Sequence, residues 1–370
     1  MKQQHKHLQS FFALVKAGLW GQNVRLSASD NIDYKQIYQI AEEQSVLGLI
    51  AAGLEHLKDV RAPKEDVLQF VGQALQLEQR NKAMNAYLAE LIELLRKKDV
   101  YAILVKGQGI AQCYEKPLWR ASGDVDLLLS DSNYEKAKQI LMPMAESAEE
   151  EYKTFKHLGL TMPGGYVVEL HGTLHSRLSR RVDSVIDEAQ NDVFFGGNVR
   201  SWPNGGTTVF LPALDDDAIF VFTHILHHYY IEGIGLRQIC DWCRLLWTYR
   251  SGINVKLLEQ RLRKAGLMSE WRAFAALAVD WLGIPVEAMP LYSPDKKWSR
   301  KAKRILAFVL ECGNFGHNRQ NRGGGKLRSA WLKAKDFGNH VWVFPWDSIQ
   351  FFTHFMVDGI KLATAEKNTQ

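Results

Sequence analysis

Cysteine is scarce in this 370-residue chain: there are four, and only Cys240 and Cys243 stand close together. A zinc site on that Cys-x-x-Cys would need a second pair, which is missing. Both cysteines also fall in a stretch patterned as a helix, so they read as ordinary core thiols. Long apolar runs are lacking too. None reaches the length of a membrane span, and the opening Met1-Lys2-Gln3-Gln4-His5-Lys6-His7 has no apolar signal-peptide core. A cytoplasmic location is therefore expected. Internal repeats and low-complexity domains are absent. Charge of one sign is in small excess only. A formal net charge of +5 favours phosphate-bearing ligands without requiring nucleic acid.

What is present suits a large core. Hydrophobic residues make up 46% and charged residues 24%, ordinary values for a globular chain long enough for two packed units. The first hundred residues are patterned as helices. Leu8, Phe11, Phe12, Val15 and Leu19 mark one, residues 32–57 read as two more, and Pro63 suits the first turn of a long one. Residues 101–210 alternate between strand and helix patterns. Met162-Pro163-Gly164-Gly165 and Asn204-Gly205-Gly206 each mark a hairpin bend. Past Pro212, Asp215-Asp216-Asp217 places acidic residues at the positive end of a helix. Further helices are expected at 236–249, 255–265, 269–282, 301–311 and 348–365. Residues 318–325, rich in glycine and polar groups, read as a loop.

The rest is organised around one stretch, from Val105 to Leu129. A short apolar strand over 101–105 runs into a turn at Lys106-Gly107, a brief helical piece follows, and Arg120-Ala121-Ser122-Gly123 turns into a second strand opened by Asp124 and Asp126. Residues i and i+2 of a strand share a face, so the two carboxylates project together. Their repulsion is relieved when a divalent cation sits between them, and magnesium suits such oxygen ligands. Backbone N–H groups at the Lys106-Gly107 turn, with the lysine beside them, favour phosphate oxygens. Gly107 permits a close backbone approach, Ser122 and Gly123 shape the second turn, and Ser122 is a candidate phosphate donor.

Leu104-Val105-Lys106-Gly107, then Tyr114, Pro117, Arg120 and Gly123-Asp124-Val125-Asp126-Leu127-Leu128, resembles the active site of the polymerase-beta nucleotidyltransferase superfamily. Within it, the pattern is similar to a bacterial branch described as an uncharacterised nucleotidyltransferase. The superfamily usually has Gly-Gly or Gly-Ser at the turn. Lys106-Gly107-Gln108-Gly109 departs from that, as the branch does. The resemblance implies an α+β fold: an N-terminal helical region (1–98), a small mixed β-sheet nucleotidyltransferase core (99–211) and a C-terminal helical domain (212–370). It also implies a third acidic residue on the strand after the Asp-x-Asp strand, and Glu169 fits that position. The implied reaction moves an NMP group from an NTP to an acceptor hydroxyl, with Mg2+ or Mn2+ held by Asp124, Asp126 and Glu169, and Glu169 as a candidate proton acceptor. The acceptor is a small molecule, a sugar or a protein. Two alternatives stand beside this: phosphotransferase or kinase-like use of the same site, and a catalytically inactive nucleotide-binding regulatory protein.

Other residues are candidates by position. Arg120 either contacts the triphosphate or neutralises the acidic pair, with the second favoured. On the substrate side stand His171 and His175, with Arg177 as a phosphate clamp. His224, His227 and His228 share a helix; a metal site there is disfavoured, and one of them, with His227 the first choice, is expected to face the cleft. Arg237 and Asp241, four residues apart, most simply form an ion pair, and the branch leaves a substrate-side role open. A basic tract with interleaved tryptophans, from Lys296 to Lys335, could track RNA, but solvated helix faces are the favoured reading.

Overall fold

The computed structural model describes residues 2–26, 32–152, 156–316, 318 and 326–367. Four helices come first: α1 (Lys2–Trp20), α2 (Tyr34–Glu43), α3 (Leu47–Glu55) and the 33-residue α4 (Lys64–Arg96). Asp33 caps α2 by accepting from the Gln36 N–H, while Pro63 precedes an α4 whose first turn holds Glu65 and Asp66. Next come β1 (Ile103–Val105), the short α5 (Gly107–Ala111), β2 (Asp124–Leu128), α6 (Asp131–Leu141), β3 (Ser147–Ala148), β4 (His157–Met162) and β5 (Tyr166–His171). Then α7 (Arg180–Phe195) leads to the hairpin of β6 (Arg200–Asn204) and β7 (Thr207–Leu211). The remainder is helical: α8 (Leu214–Ile231), α9 (Leu236–Thr248), α10 (Val255–Ala265), α11 (Met268–Leu277), α12 (Lys296–Cys312), α13 (Lys326–Val343) and α14 (Pro345–Lys367).

The seven strands form one mixed sheet in the order β3-β4-β5-β2-β1-β7-β6. β2 lies between antiparallel β1 and parallel β5, and the register sets Asp126 opposite Val105 on one side and Glu169 on the other. Strand alternation then divides the faces. Val125, Leu127, Val168 and Leu170 point into a core shared with Leu88, Leu91 and Leu95 of α4 and Tyr134 of α6. Tyr87 of α4 stacks flat on Tyr166 of β5, with ring centroids 4.1 Å apart. The opposite face carries Asp124, Asp126, Glu169 and His171 towards α8 and α9.

A second core runs from α1–α3 through Val105 and Leu128 into α7–α12. Segments far apart in the chain meet in it: the Trp20 indole N–H donates to the Leu282 carbonyl, and Phe12 packs edge-on against Trp281. The α+β architecture is as expected, with helical regions before and after the sheet. Two helices were not anticipated. α7 is capped by Ser179, whose side chain accepts from the Val182 N–H, and it buries Val182, Val185, Ile186, Ala189 and Val193 on one face. α13 fills the interval before the last helix. The loop expected at 318–325 lies outside the described residues apart from residue 318, as do Arg319 and Arg322 of the basic tract. No helix among the described residues is long and apolar enough to cross a membrane. All four cysteines are buried and free.

Candidate active site

The parallel pairing of β2 with β5 puts Asp126 and Glu169 side by side, and Asp124 stands two residues earlier on the same face. One carboxylate oxygen from each of the three lies within 4.8 Å of the others. The cost of this crowding is visible on Asp124, whose pKa is raised by the like charge of Asp126 and then by burial. Three converging carboxylates with unfavourable mutual repulsion are the donor set a hard divalent cation requires, so the residues fit the ion expected there.

A cationic side chain already answers part of that charge. Lys106 follows β1 with a positive φ (φ 58°, ψ −143°), strained for a residue with a Cβ. Its Nζ reaches 2.6 Å from Asp126 Oδ1. Burial opposes its charge, but Asp126, Glu169 and Asp124 outweigh burial and raise its pKa. Lys106 is therefore not a solvated turn lysine. Gly107 follows at φ 40°, where an added Cβ would touch the Asp124 carbonyl oxygen at 3.4 Å, so this turn is packed directly on the second.

Two imidazoles complete the floor. His171 Nε2 is 3.0 Å from Asp126 Oδ1 and 3.3 Å from Glu169 Oε2, and His157 Nε2 is also 3.3 Å from Glu169 Oε2. Burial pushes Glu169 towards its neutral form, yet His157 and His171 overcome it and lower its pKa. His157 escaped the sequence reading. It faces His171 only through the β4–β5 register, and a lone histidine in a strand carries no local signal of that.

Across a cavity of about 520 Å3 stands α8, which contributes Phe220, Val221, His224, Ile225, His227 and His228 to the wall. All three histidines line it, not His227 alone. Burial lowers the pKa of His224 well below its ordinary value and brings that of His227 to about 4. His227 Nδ1 meets the Ser176 carbonyl at 2.7 Å, and the His224 and His228 Nε2 atoms are 3.2 Å apart. Burial thus disfavours the charged forms of His224 and His227, while His228 Nδ1 lies 2.9 Å from Glu232 Oε2. Among the described residues these three form no metal-holding group with a carboxylate.

Arg120 lines the cavity but pairs elsewhere than with the Asp124–Asp126 pair it was expected to neutralise. Its Nε and Nη2 donate to the two oxygens of Asp241 at 3.0 and 2.7 Å, and Tyr114 donates to the same carboxylate at 2.8 Å. Both partners are 5% exposed, a buried bidentate pair. The charge it balances is Asp241, not the Asp124–Asp126 pair. Asp241 thus takes its bidentate partner from the turn before β2 rather than from Arg237, whose Nη1 donates to the Ala121 carbonyl at 2.9 Å. Arg120, Arg237 and Asp241 all line the cavity. Asn81 of α4, another residue the sequence reading passed over, holds this turn by donating to the Leu118 and Arg120 carbonyls. Ser122 and Gly123 are not on the cavity wall; Ser122 accepts from Arg120 and donates to Gln108. His175 and Arg177 do reach the wall, with His175 Nε2 2.7 Å from Asp187.

A mixed sheet that aims three carboxylates from neighbouring parallel strands at one point, beside a lysine-glycine turn and a ligand-sized cavity, suits a transferase of phosphorus-containing groups. The chain belongs to the family described as uncharacterised nucleotidyltransferase, which matches residues 30–283. No curated protein and no solved structure matches it.

Proposed function

We propose that the protein transfers a nucleoside monophosphate from a nucleoside triphosphate to a hydroxyl of an acceptor, in the manner of the polymerase-beta superfamily. The observation that carries this reading is the convergence of Asp124, Asp126 and Glu169 within 4.8 Å. They would hold Mg2+ or Mn2+, which when bound stabilises charge on the attacking and leaving oxygens. Lys106, at the edge of the same group, is placed to share its charge between Asp126 and a phosphate oxygen. Glu169 serves as a ligand and, beside the reacting cation, is the candidate to accept the proton of the incoming hydroxyl. The imidazoles of His224 and His227, whose charged forms burial disfavours, offer an acceptor hydrogen bonds, and Phe220, Val221 and Ile225 offer it apolar surface. A cavity of about 520 Å3 favours a small molecule, a sugar or a single protein side chain over an RNA duplex.

The test uses the four nucleoside triphosphates labelled at the α-phosphorus, incubated with the protein, divalent cation and a fractionated extract. Label carried into an acceptor, with pyrophosphate released, is expected, and Asp124→Ala and Asp126→Ala should abolish it. Transfer of γ-label instead would identify a phosphotransferase. Binding of nucleotide with no turnover would make the protein regulatory.

A further inference from the structure

The geometry points to a second cation position beside the carboxylate trio, made by His157, Glu169 and His171 and suited to a borderline transition ion rather than to magnesium. It follows from strand register. His157 and His171 are directly opposed across the antiparallel β4–β5 pair, and Glu169 precedes His171 by two residues, so all three share the cavity face. Glu169 Oε2 is 3.3 Å from both Nε2 atoms, and the three ligand atoms lie within 4.8 Å of one another. Metal bonds of about 2.0–2.1 Å in tetrahedral geometry set neighbouring ligand atoms roughly 3.3–3.4 Å apart. The two edges from Glu169 to the imidazoles have that length.

Hydrogen bonding accounts for only part of the arrangement. His171 Nε2 has an ordinary hydrogen-bond distance of 3.0 Å to Asp126 Oδ1, but both histidines also bring the same ring nitrogen to a single Glu169 oxygen at 3.3 Å, beyond the usual N–H···O length of about 2.9–3.0 Å. The rings are tilted by 45° with centroids 4.8 Å apart, so stacking does not explain their convergence either. The side chains of His157 and Glu169 are 27% exposed, leaving the remaining coordination positions open to the cavity.

Two imidazoles and one carboxylate select Zn2+, Mn2+, Fe2+ or Co2+, whereas Mg2+ prefers oxygen ligands throughout. Three protein ligands with an open position form a site able to take water or a substrate oxygen. Glu169 belongs to both acidic and histidine groups, so one carboxylate serves two neighbouring positions. Only the catalytic use of this ion rests on the nucleotidyl-transfer reading; its binding does not.

The full-length chain, stripped with chelator and desalted, is titrated with Co2+ while visible d–d absorption is recorded. An intense band saturating at one equivalent and displaced by Zn2+ is expected. His157→Gln and His171→Gln should each weaken Co2+ binding tenfold or more, while Asp124→Asn keeps the band. Pulsed EPR of the unmodified chain with Mn2+ reads nitrogen coupling directly and needs no variant. A band indifferent to both histidine changes, or no nitrogen coupling when the chain is saturated with Mn2+, would overturn the assignment. A chain that shows the histidine-dependent band but transfers no nucleotide keeps this site and loses only the proposed reaction.

Discussion

Asp124 and Asp126 were legible because a strand repeats every two residues, so spacing alone put them on one face. Glu169 needed a resemblance, and His157 needed the register of a third strand, which no local pattern reveals. If the trio holds the reacting cation, Asp126→Asn should lower nucleotidyl transfer by on the order of a thousandfold, the scale of losing one preorganised charge-stabilising group. Unchanged label transfer in that variant would remove the trio from the reaction. Lys106 gives a sharper test. Its Nζ occupies a position on Asp126 that an incoming cation must share or take. Lys106→Met should therefore tighten Mn2+ binding, measured by EPR titration, on the order of tenfold, or about 1.4 kcal/mol. The same change should raise KM for the triphosphate. Weaker Mn2+ binding would mean the lysine supports the site rather than competes for it.

Elements were easier to read where chemistry punctuates the chain. Pro163-Gly164-Gly165 and Gly205-Gly206 supply turn conformations, with Gly164, Gly165 and Gly205 at positive φ, and both hairpins fell where expected. α7 repeats apolar residues at helical spacing, but it lies between two glycine-marked hairpins, whose strand and turn signals dominate the local pattern. Helix contacts were invisible until the structure placed the glycines. On α3, a Cβ at Gly53 would sit 2.2 Å from the Leu14 carbonyl oxygen; on α1, one at Gly18 would sit 2.1 Å from that of Leu49. The two helices cross backbone to backbone. Gly53→Ala gains about 1 kcal/mol of helix propensity, but overpacking against unyielding backbone costs about 1–3 kcal/mol or more. A lower urea midpoint is expected. Gly72→Ala on α4, with nothing within 4 Å, should instead raise it, by up to about 1 kcal/mol in stability. A Gly53→Ala chain as stable as the parent would show that the helices can slide apart freely.

Over the whole molecule, the helical side of the fold carries a carboxyl whose burial favours its neutral form. Glu270 of α11 is fully buried and accepts from the Tyr230 hydroxyl of α8 at 3.2 Å. Burial first, and then the charge of Asp347 on α14, raise its pKa well above the ordinary 4.5. Asp347 is itself raised, chiefly by burial, and Lys301 of α12 faces both groups with its own pKa lowered by burial. Because the folded value exceeds the unfolded one, the stability Glu270 contributes is complete below about pH 4.5 and is lost as pH rises through the folded pKa. In that interval the folded chain holds one proton more than the unfolded chain, so stability falls by up to about 1.4 kcal/mol per pH unit. Glu270→Gln keeps the shape and the acceptor for Tyr230 while removing the proton. Urea unfolding from pH 5 to pH 8 should show the variant gaining steadily on the parent, with a shallower decline across the range. Parallel pH profiles for the two chains would place an ionised carboxylate in the core and require a cationic partner for it, with Lys301 the first to examine.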